Sequence, residues 1–301
     1  MTNNRGFYLA LVLIGAAWGL TFPLSKIAVS TGYQPLGILV WQQAGTIILT
    51  GIFILLRRKS LKLQRRNLGL YFGVTMLGSV LSGFFSYTAA SQLPAGIMAI
   101  VIALVPLFAM PIALVMGYEK PSLTRVLGLG FGAAAIVILM GPDASLPEPE
   151  KAIFVLVAML ATLAYGGEAN FLEWAGRRHP GTLPDPFQIL FGANVVGLLI
   201  TLPLALTTGH FIDPTTPWGQ PEWAILSVAT LSTFAYSGYI WLIGYTGPIF
   251  ASQVSYLVTA FGVAAAMLVL GESYSSWVWL ALILILAGLF LVQPKGRDTD
   301  A

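Results

Sequence analysis

Long apolar stretches alternate with short polar breaks along almost the whole chain. A membrane-spanning helix needs about 20 mostly apolar residues, and ten stretches approach or exceed that length. Dipeptides such as Gly141-Pro142 and Gly247-Pro248 separate them, because glycine and proline disfavour a continuous helix. The predicted spans are residues 7–30, 35–56, 68–91, 94–116, 123–140, 152–174, 186–206, 222–245, 248–270 and 276–292.

Two of the links, around Pro94 and Pro248, are only a few residues long. One long kinked helix is the alternative prediction at each of these places. Such a helix would be about twice as long as the bilayer is thick, which favours two separate spans.

The two halves of the chain carry the same pattern of hydrophobic runs, in residues 93–137 and again in residues 246–291. The matching positions are Pro94 with Pro248, Phe108 with Phe261, and Glu119 with Glu272. Repeated hydrophobic blocks of this kind are typical of secondary transporters.

The basic residues predict the orientation, because cytoplasmic loops of membrane proteins are enriched in Lys and Arg. With the N-terminus on the cytoplasmic side, only Lys151 falls outside, and Lys26 lies within a span. The residues placed on the cytoplasmic side are Arg5, Arg57, Arg58, Lys59, Lys62, Arg65, Arg66, Lys120, Arg125, Arg177, Arg178, Lys295 and Arg297. This sorting predicts ten helices with both termini in the cytoplasm.

Ten spans place five helices in each half, and an odd number inverts the second half relative to the first. The predicted fold is therefore an all-α integral membrane protein, with ten transmembrane helices arranged as two inverted five-helix repeats. The predicted domains are residues 1–141 and residues 142–301, the second including a short cytoplasmic tail.

The composition excludes several other classes of protein. Hydrophobic residues make up 57% of the chain and charged residues 9%, whereas a soluble domain has about 25% charged residues. The net charge is only +3, so no nucleic-acid partner is expected. The chain has no cysteine, and His179 and His210 lie in separate loops, so neither a metal site nor a cofactor is predicted. The first apolar run is too long for the core of a cleaved signal peptide.

Several short motifs resemble those of a known family. Trp18-Gly19 is followed by Phe22 and Lys26 in the first span, and a glycine-containing turn ends at Glu119 and again at Glu272. The end of the third span, residues 87–90 followed by residues 93–95, is a further motif. Together these motifs resemble the EamA-type branch of the drug/metabolite transporter superfamily, over about residues 7 to 292. The resemblance implies ten helices in two inverted repeats, and a central cavity lined mainly by helices 1, 3, 4, 6, 8 and 9. It also implies transport of small metabolites, commonly amino-acid export in bacterial members.

The chain departs from that family in helix 2. Many members carry an arginine where this chain has Trp41-Gln42-Gln43, and Gln188 occupies a comparable place in helix 7. The missing cation weakens any expectation of a phosphorylated or strongly anionic substrate.

Ionisable residues within a membrane span are costly and usually face the interior of the bundle. Lys26 either extends to the membrane interface or makes a functional contact. Glu168, beside Gly166 and Gly167, is either a proton-accepting carboxyl or a hydrogen-bonded residue of a helix contact. Glu173 lies beside Arg177 near the helix end, which predicts a solvated charge.

Polar and aromatic residues in helices 1, 3, 6, 8 and 9 complete the candidate site. The serines of helix 3 also fit simple helix packing, and the amide in helix 9 either joins helices or contacts substrate. The predicted substrate-binding residues are Thr21, Lys26, Ser82, Ser86, Tyr87, Glu168, Asn170, Tyr236, Tyr239, Trp241, Gln253 and Tyr256.

These residues offer hydroxyls, amides and aromatic faces but few fixed charges. The leading hypothesis is a secondary transporter of the inner membrane that exports a small amphipathic metabolite, with an amino acid as the first candidate. The alternative is an importer or exchanger of a sugar, nucleoside or drug-like compound, and a non-transport membrane protein is a remote third. An enzyme is not expected, because catalytic carboxylates or histidines do not cluster at one membrane face. The expected partners are a small-molecule substrate, membrane lipid and a coupling proton, for a monomer or weak dimer.

Overall fold

The computed structural model describes residues 4–61, 63–141, 148–179, 181, 183–246 and 248–292, and within these ranges it contains helices but no strand. Its main helices are α1 (Asn4–Ala28), α2 (Pro35–Leu56), α3 (Arg65–Gln92), α4 (Ala95–Val115), α5 (Leu123–Met140), α6 (Ile153–Arg178), α7 (Pro186–Thr207), α8 (Gln220–Thr246), α9 (Val254–Leu270) and α10 (Ser276–Val292).

The helices agree with the predicted spans. In the described part of the chain, α1 to α8 are each long and apolar enough to cross a membrane, and α9 and α10 are shorter apolar helices of 17 residues. The ninth predicted span is divided, because a short helix, Pro248–Ala251, precedes α9 and a turn at Ser252 and Gln253 joins the two.

Helix α4 is interrupted within the predicted span. It consists of Ala95–Ile102 and Val105–Val115, with a turn between them. Pro106 has no backbone N–H, so it cannot make the hydrogen bond to residue 102 that would continue the first segment. The sequence pattern did not reveal this break, because the apolar run continues through it.

Helix α3 changes its winding along its length. A regular stretch, Leu68–Thr75, is followed by a wide π turn, Met76–Leu81, and then by the regular stretch Ser82–Gln92. Helix α3 ends where it was predicted to end, because Leu93 has an extended backbone and the residue before a proline avoids the helical region. The link around Pro94 therefore separates two helices.

Contacts between helix ends define two faces of the bundle. Near the start of α1, the ring of Phe7 lies 5.9 Å from that of Trp241 near the end of α8. After the end of α1, the hydroxyl of Tyr33 donates a hydrogen bond to Glu222 near the start of α8. We call the first the terminal face, because α1 begins and α10 ends there, and the second the opposite face.

The helices pack in a regular set of pairs. Helix α1 packs on α8 and α9, and helix α6 packs on α3 and α4. Helix α2 packs on α7, and α5 packs on α10. Large apolar side chains such as Leu9, Ile48 and Leu268 are exposed on the bundle, as expected for residues that face lipid.

Small residues bring α1 and α9 into close contact. A Cβ atom at Gly19 would lie 2.7 Å from Cβ of Phe261 and 2.8 Å from the backbone nitrogen of Gly262. A Cβ atom at Gly262 would lie 2.7 Å from Cβ of Ala99 in α4. Lipid gives helices no hydrophobic reason to associate, so such close packing is a main source of their attraction.

The amides noted in helices 2 and 7 have separate structural partners. Gln43 is only 1% exposed; its Nε2 donates to Oγ of Ser79 at 3.1 Å, and its Oε1 accepts from Oγ1 of Thr201 at 2.6 Å. This side chain therefore joins α2 to α3 and α7. Gln188 lies near the start of α7, where its Nε2 donates to the carbonyl of Ser60 at 2.8 Å.

We expect Gly19→Ala to destabilise the protein, because the new methyl group forces α1 and α9 apart. Overpacking of this kind costs about 1–3 kcal/mol. The measurement is the temperature at which detergent-solubilised protein loses its monodisperse gel-filtration peak. Gly130→Ala is the matched control, since a Cβ atom there has no neighbour within 4 Å. Equal melting temperatures for the two variants would contradict the packing argument.

Candidate functional site

Lys26 holds the end of α3. Its Nζ donates to the backbone carbonyls of Ala90 at 2.8 Å, Leu93 at 2.9 Å and Ser91 at 3.3 Å. The last carbonyls of a helix have no partner within it, and a positive charge is favoured at that end. The ammonium group is thus engaged by α3.

Glu272 holds the start of α4 from the other side of the same link. Its carboxylate accepts the backbone N–H groups of Ala95 at 2.7 Å and Gly96 at 3.1 Å, and it also accepts a hydrogen bond from Tyr274. A negative charge is favoured at a helix N-terminus. Burial and the bond to Glu272 raise the pKa of the Tyr274 hydroxyl, so that hydroxyl stays a donor. We call Lys26 and Glu272 the α3–α4 clamp.

Two acidic residues on the terminal face have local partners: Glu119, which matches Glu272 in the repeated pattern, and Glu173. Glu119 forms an ion pair with Arg125 at the start of α5, with 2.7 Å between the carboxylate oxygen and the guanidinium nitrogen. Glu173 forms an ion pair of 2.5 Å with Arg177 in the next turn of α6. The Arg177 guanidinium also lies 4.3 Å from the ring centroid of Tyr118. These two carboxylates are therefore satisfied by neighbouring side chains.

Glu168 lies in the membrane-spanning part of α6 and faces the π turn of α3. Its carboxyl contacts the backbone of Gly78, where a Cβ atom would overlap the carboxyl group. No hydrogen bond or ion pair joins Glu168 to any other residue in the described ranges. The π turn widens α3 at this point, and such turns occur frequently at functional sites.

Hydroxyl groups of α3 and α6 lie beside this carboxyl. The hydroxyl of Tyr165 faces those of Ser82 and Ser86. Ser82 is completely buried, and its Oγ makes no hydrogen bond of normal geometry to the part of the protein described. The hydroxyl of Tyr87 donates a hydrogen bond to Oε1 of Gln42 at 2.9 Å and so joins α3 to α2.

Helix α8 supplies the aromatic side. Tyr236 is close enough to Glu168 and to Tyr239 to interact electrostatically with both. The ring of Tyr239 lies 5.7 Å from that of Trp18 in α1. The hydroxyls of Tyr236 and Tyr239 make no hydrogen bond to another described residue. We call this group the central cluster; its members are Trp18, Ser82, Ser86, Tyr87, Tyr165, Glu168, Tyr236 and Tyr239.

The central cluster joins six of the predicted site residues to Trp18 and Tyr165, which were not predicted. Glu168, Tyr165 and Tyr236 are half-buried although they lie between helices. The signal for Trp18 and Tyr165 was their matching place in the first helix of each half. Neither was included, because an aromatic residue in a membrane helix is commonly a packing residue.

Two other predicted site residues make helix contacts. Oγ1 of Thr21 donates to the carbonyl of Trp18 at 2.6 Å, within α1. Nδ2 of Asn170 donates to the carbonyls of Ala109 and Gly166, each at 2.9 Å, and so joins α6 to α4.

The remaining predicted residues are Lys26, Trp241, Gln253 and Tyr256. The ring of Trp241, 45% exposed, packs against Phe7 and Tyr245 near the terminal face. Gln253 is exposed in the turn before α9, and Tyr256 is half-buried against the apolar core. Lys26 lies at the α3–α4 clamp.

A bundle of apolar helices around a polar group at membrane depth is the architecture of a membrane transporter. The family model described as the EamA-like transporter family matches residues 6–141 and again residues 152–293. The chain belongs to the EamA-like transporter family, which confirms the resemblance noted in its motifs.

Similar proteins agree with this membership. The chain is 26% identical over 289 residues to the "Uncharacterized inner membrane transporter YedA" of Escherichia coli K12, covering 94% of this chain and 89% of that protein. The protein of the same name from Escherichia coli O157:H7 gives the same values. A solved crystal structure has a TM-score of 0.63 at 17% identity, covers 97% of this chain and 99% of its own, and supports the fold alone.

We expect Glu272→Gln to loosen the opposite face, because an amide cannot replace a carboxylate that accepts two backbone N–H groups. The natural chain has no cysteine, so a single Ser275→Cys change supplies a unique probe beside the α3–α4 clamp. A membrane-impermeant maleimide should label this cysteine faster in the Glu272→Gln background. Glu119→Gln is the control, since the Glu119–Arg125 pair lies on the other face. Unchanged labelling in both backgrounds would contradict the role of the clamp.

Proposed function

We propose that this protein is a secondary transporter that exports a small amphipathic metabolite, with an amino acid as the first candidate, across the inner membrane by alternating access. Family membership and the name of the relative, the inner membrane transporter YedA, support a transporter in that membrane. The observation that carries the proposal is the central cluster, where Glu168 lies at membrane depth without a described protein partner. A membrane protein tolerates such a group chiefly where it serves transport.

The alternating-access mechanism follows from two inverted halves, residues 1–141 and 142–301. The helix packing supports this arrangement: α1 on α8 and α9 corresponds to α6 on α3 and α4, while α2 pairs with α7 and α5 with α10. The central cluster lies where α1 and α3 of one half meet α6 and α8 of the other. Rocking of the halves about this point would expose it first to one side of the membrane and then to the other.

The chemistry of the central cluster suits a small solute with an apolar body. Aromatic rings of α1, α6 and α8 give apolar contact area, and hydroxyls give hydrogen bonds that orient a ligand. Glu168 is its only charged group. A sugar phosphate would find no basic side chain there, which favours a neutral or zwitterionic metabolite.

We propose further that both termini are cytoplasmic, because the terminal face carries most of the basic residues. Alkaline phosphatase is active only outside the cytoplasm, so its fusion after Asp213 on the opposite face should be active. Fusion after Lys120 on the terminal face should be inactive. The reverse pattern would overturn this orientation, and fluorescence of green fluorescent protein at Lys120 provides the complementary control.

We expect Glu168→Gln to abolish most transport, because it removes the charge of the central cluster while keeping its shape. The measurement is counterflow of labelled amino acids, nucleosides and sugars into loaded proteoliposomes, with protein-free liposomes as the blank. Glu173→Gln is the matched control on the same helix, since Glu173 is exposed and paired with Arg177. Saturable counterflow that is equal in both variants would remove Glu168 from the site. Absence of saturable counterflow for every class would contradict the proposed transport.

The same variant tests coupling to protons. The groups that face Glu168 are Tyr165 on α6 and Tyr236 on α8, and tyrosine is uncharged at neutral pH. Helix α3 faces it with Gly78, and α4 contains no ionisable residue. A dependence of transport on pH near neutrality should therefore disappear in Glu168→Gln. If that variant keeps the same profile, Glu168 does not carry the proton.

A further inference from the structure

We propose that Glu168 is the counter-ion for an ammonium group of the substrate, so that the central cluster selects amines and amino acids over the corresponding carboxylic acids. This inference rests on the proposed transport function and specifies which chemical group the site recognises.

The first argument is that the carboxyl of Glu168 has no basic partner. Lys26 is engaged by the carbonyls of α3, and the other described basic residues lie at helix ends or in loops. No ion pair joins any of them to Glu168 within the described ranges. An ionised carboxyl within a membrane protein is costly unless it is paired. A cation that enters with the substrate would supply the missing partner.

The second argument is the unused hydrogen-bonding groups around the carboxyl. An ammonium group has three N–H donors, so it needs acceptors besides Glu168. The completely buried hydroxyl of Ser82 faces that of Tyr165 but makes no hydrogen bond of normal geometry within the described ranges, and no hydrogen bond joins the hydroxyl of Tyr236 to another described residue. These oxygens belong to the same group of side chains as the carboxyl, and they can accept the remaining protons.

The third argument is the surrounding aromatic surface. Tyr165 and Tyr236 flank Glu168, and the Tyr239 and Trp18 rings extend the surface from there. Aromatic faces attract cations and also cover an apolar body. A carboxylic acid without an amine would bring a second negative charge towards Glu168, with no basic group to offset it.

The test uses three ligands with the same aromatic body: 2-phenylethylamine, phenylalanine and 3-phenylpropionate. Binding is measured by isothermal titration calorimetry on the purified full-length protein in detergent at neutral pH. The proposal predicts binding of the amine and the amino acid but not of 3-phenylpropionate. Hexylamine, which has no ring, should also bind, because the ammonium group is the feature recognised.

Two variants connect binding to the residue. Glu168→Gln should weaken binding of the amine by about tenfold or more, the factor expected when a charge-assisted hydrogen bond is lost. Glu168→Asp keeps the charge and should retain part of the affinity. Glu173→Gln should bind like the unmodified protein. Folding of each variant is checked by gel filtration.

Several results would overturn the inference: binding of 3-phenylpropionate as tight as that of the amine, failure of both amines to bind, or unchanged amine binding in Glu168→Gln. The proposed transport function has a separate readout. Amine binding without counterflow of any solute would keep the ammonium site and contradict transport. Counterflow that persists in Glu168→Gln would keep transport and contradict the ammonium site.

Discussion

The end of a helix leaves backbone carbonyls or N–H groups without a partner inside that helix, so other parts of the protein or water must satisfy them. The link around Pro94 creates this problem, because proline ends α3 and leaves free carbonyls before it and free N–H groups after it. Lys26 from α1 binds the carbonyls, and Glu272, between α9 and α10, binds the N–H groups. The arrangement of α1, α3, α4 and the link between α9 and α10 therefore depends on two charged side chains. Their charges match the ends of the two helix dipoles that they meet.

The other buried polar residues follow the same constraint, and this distinguishes Glu168 from them. Gln43 and Asn170 each use their amides to join neighbouring helices, with partners at hydrogen-bonding distance. Glu168 meets a glycine and the side chains of tyrosines, and it has no such partner within the described ranges. A polar residue that holds helices together therefore differs from the proposed ligand-binding carboxyl in its partners. Residue type and position along the helix do not separate them.

Much of the fold could be predicted from the sequence, because hydrophobic length and proline position are direct physical constraints. The spans and the break at Pro94 follow from them. The candidate site was harder, since polarity indicates that a side chain avoids lipid but not which neighbour it meets. Lys26 and Asn170 are polar and avoid lipid, but their partners in the structure are backbone carbonyls of neighbouring helices. The π turn at Met76–Leu81 leaves no signature in composition, so the contact between Gly78 and Glu168 could not be foreseen.

The α3–α4 clamp has a consequence for how the sequence can vary. Both charged side chains bind main-chain atoms, at Ala90 and Leu93 on one side and at Ala95 and Gly96 on the other. Every amino acid offers the same carbonyl, and every one except proline offers the same N–H group. Mutations at the bound positions can therefore alter side-chain packing while leaving the electrostatic contact in place. The electrostatic contact thus places no demand on the side chains of the held segment, and their restriction comes from packing alone: Ala90, Leu93 and Ala95 are buried, and a Cβ atom at Gly96 would overlap the Tyr274 hydroxyl.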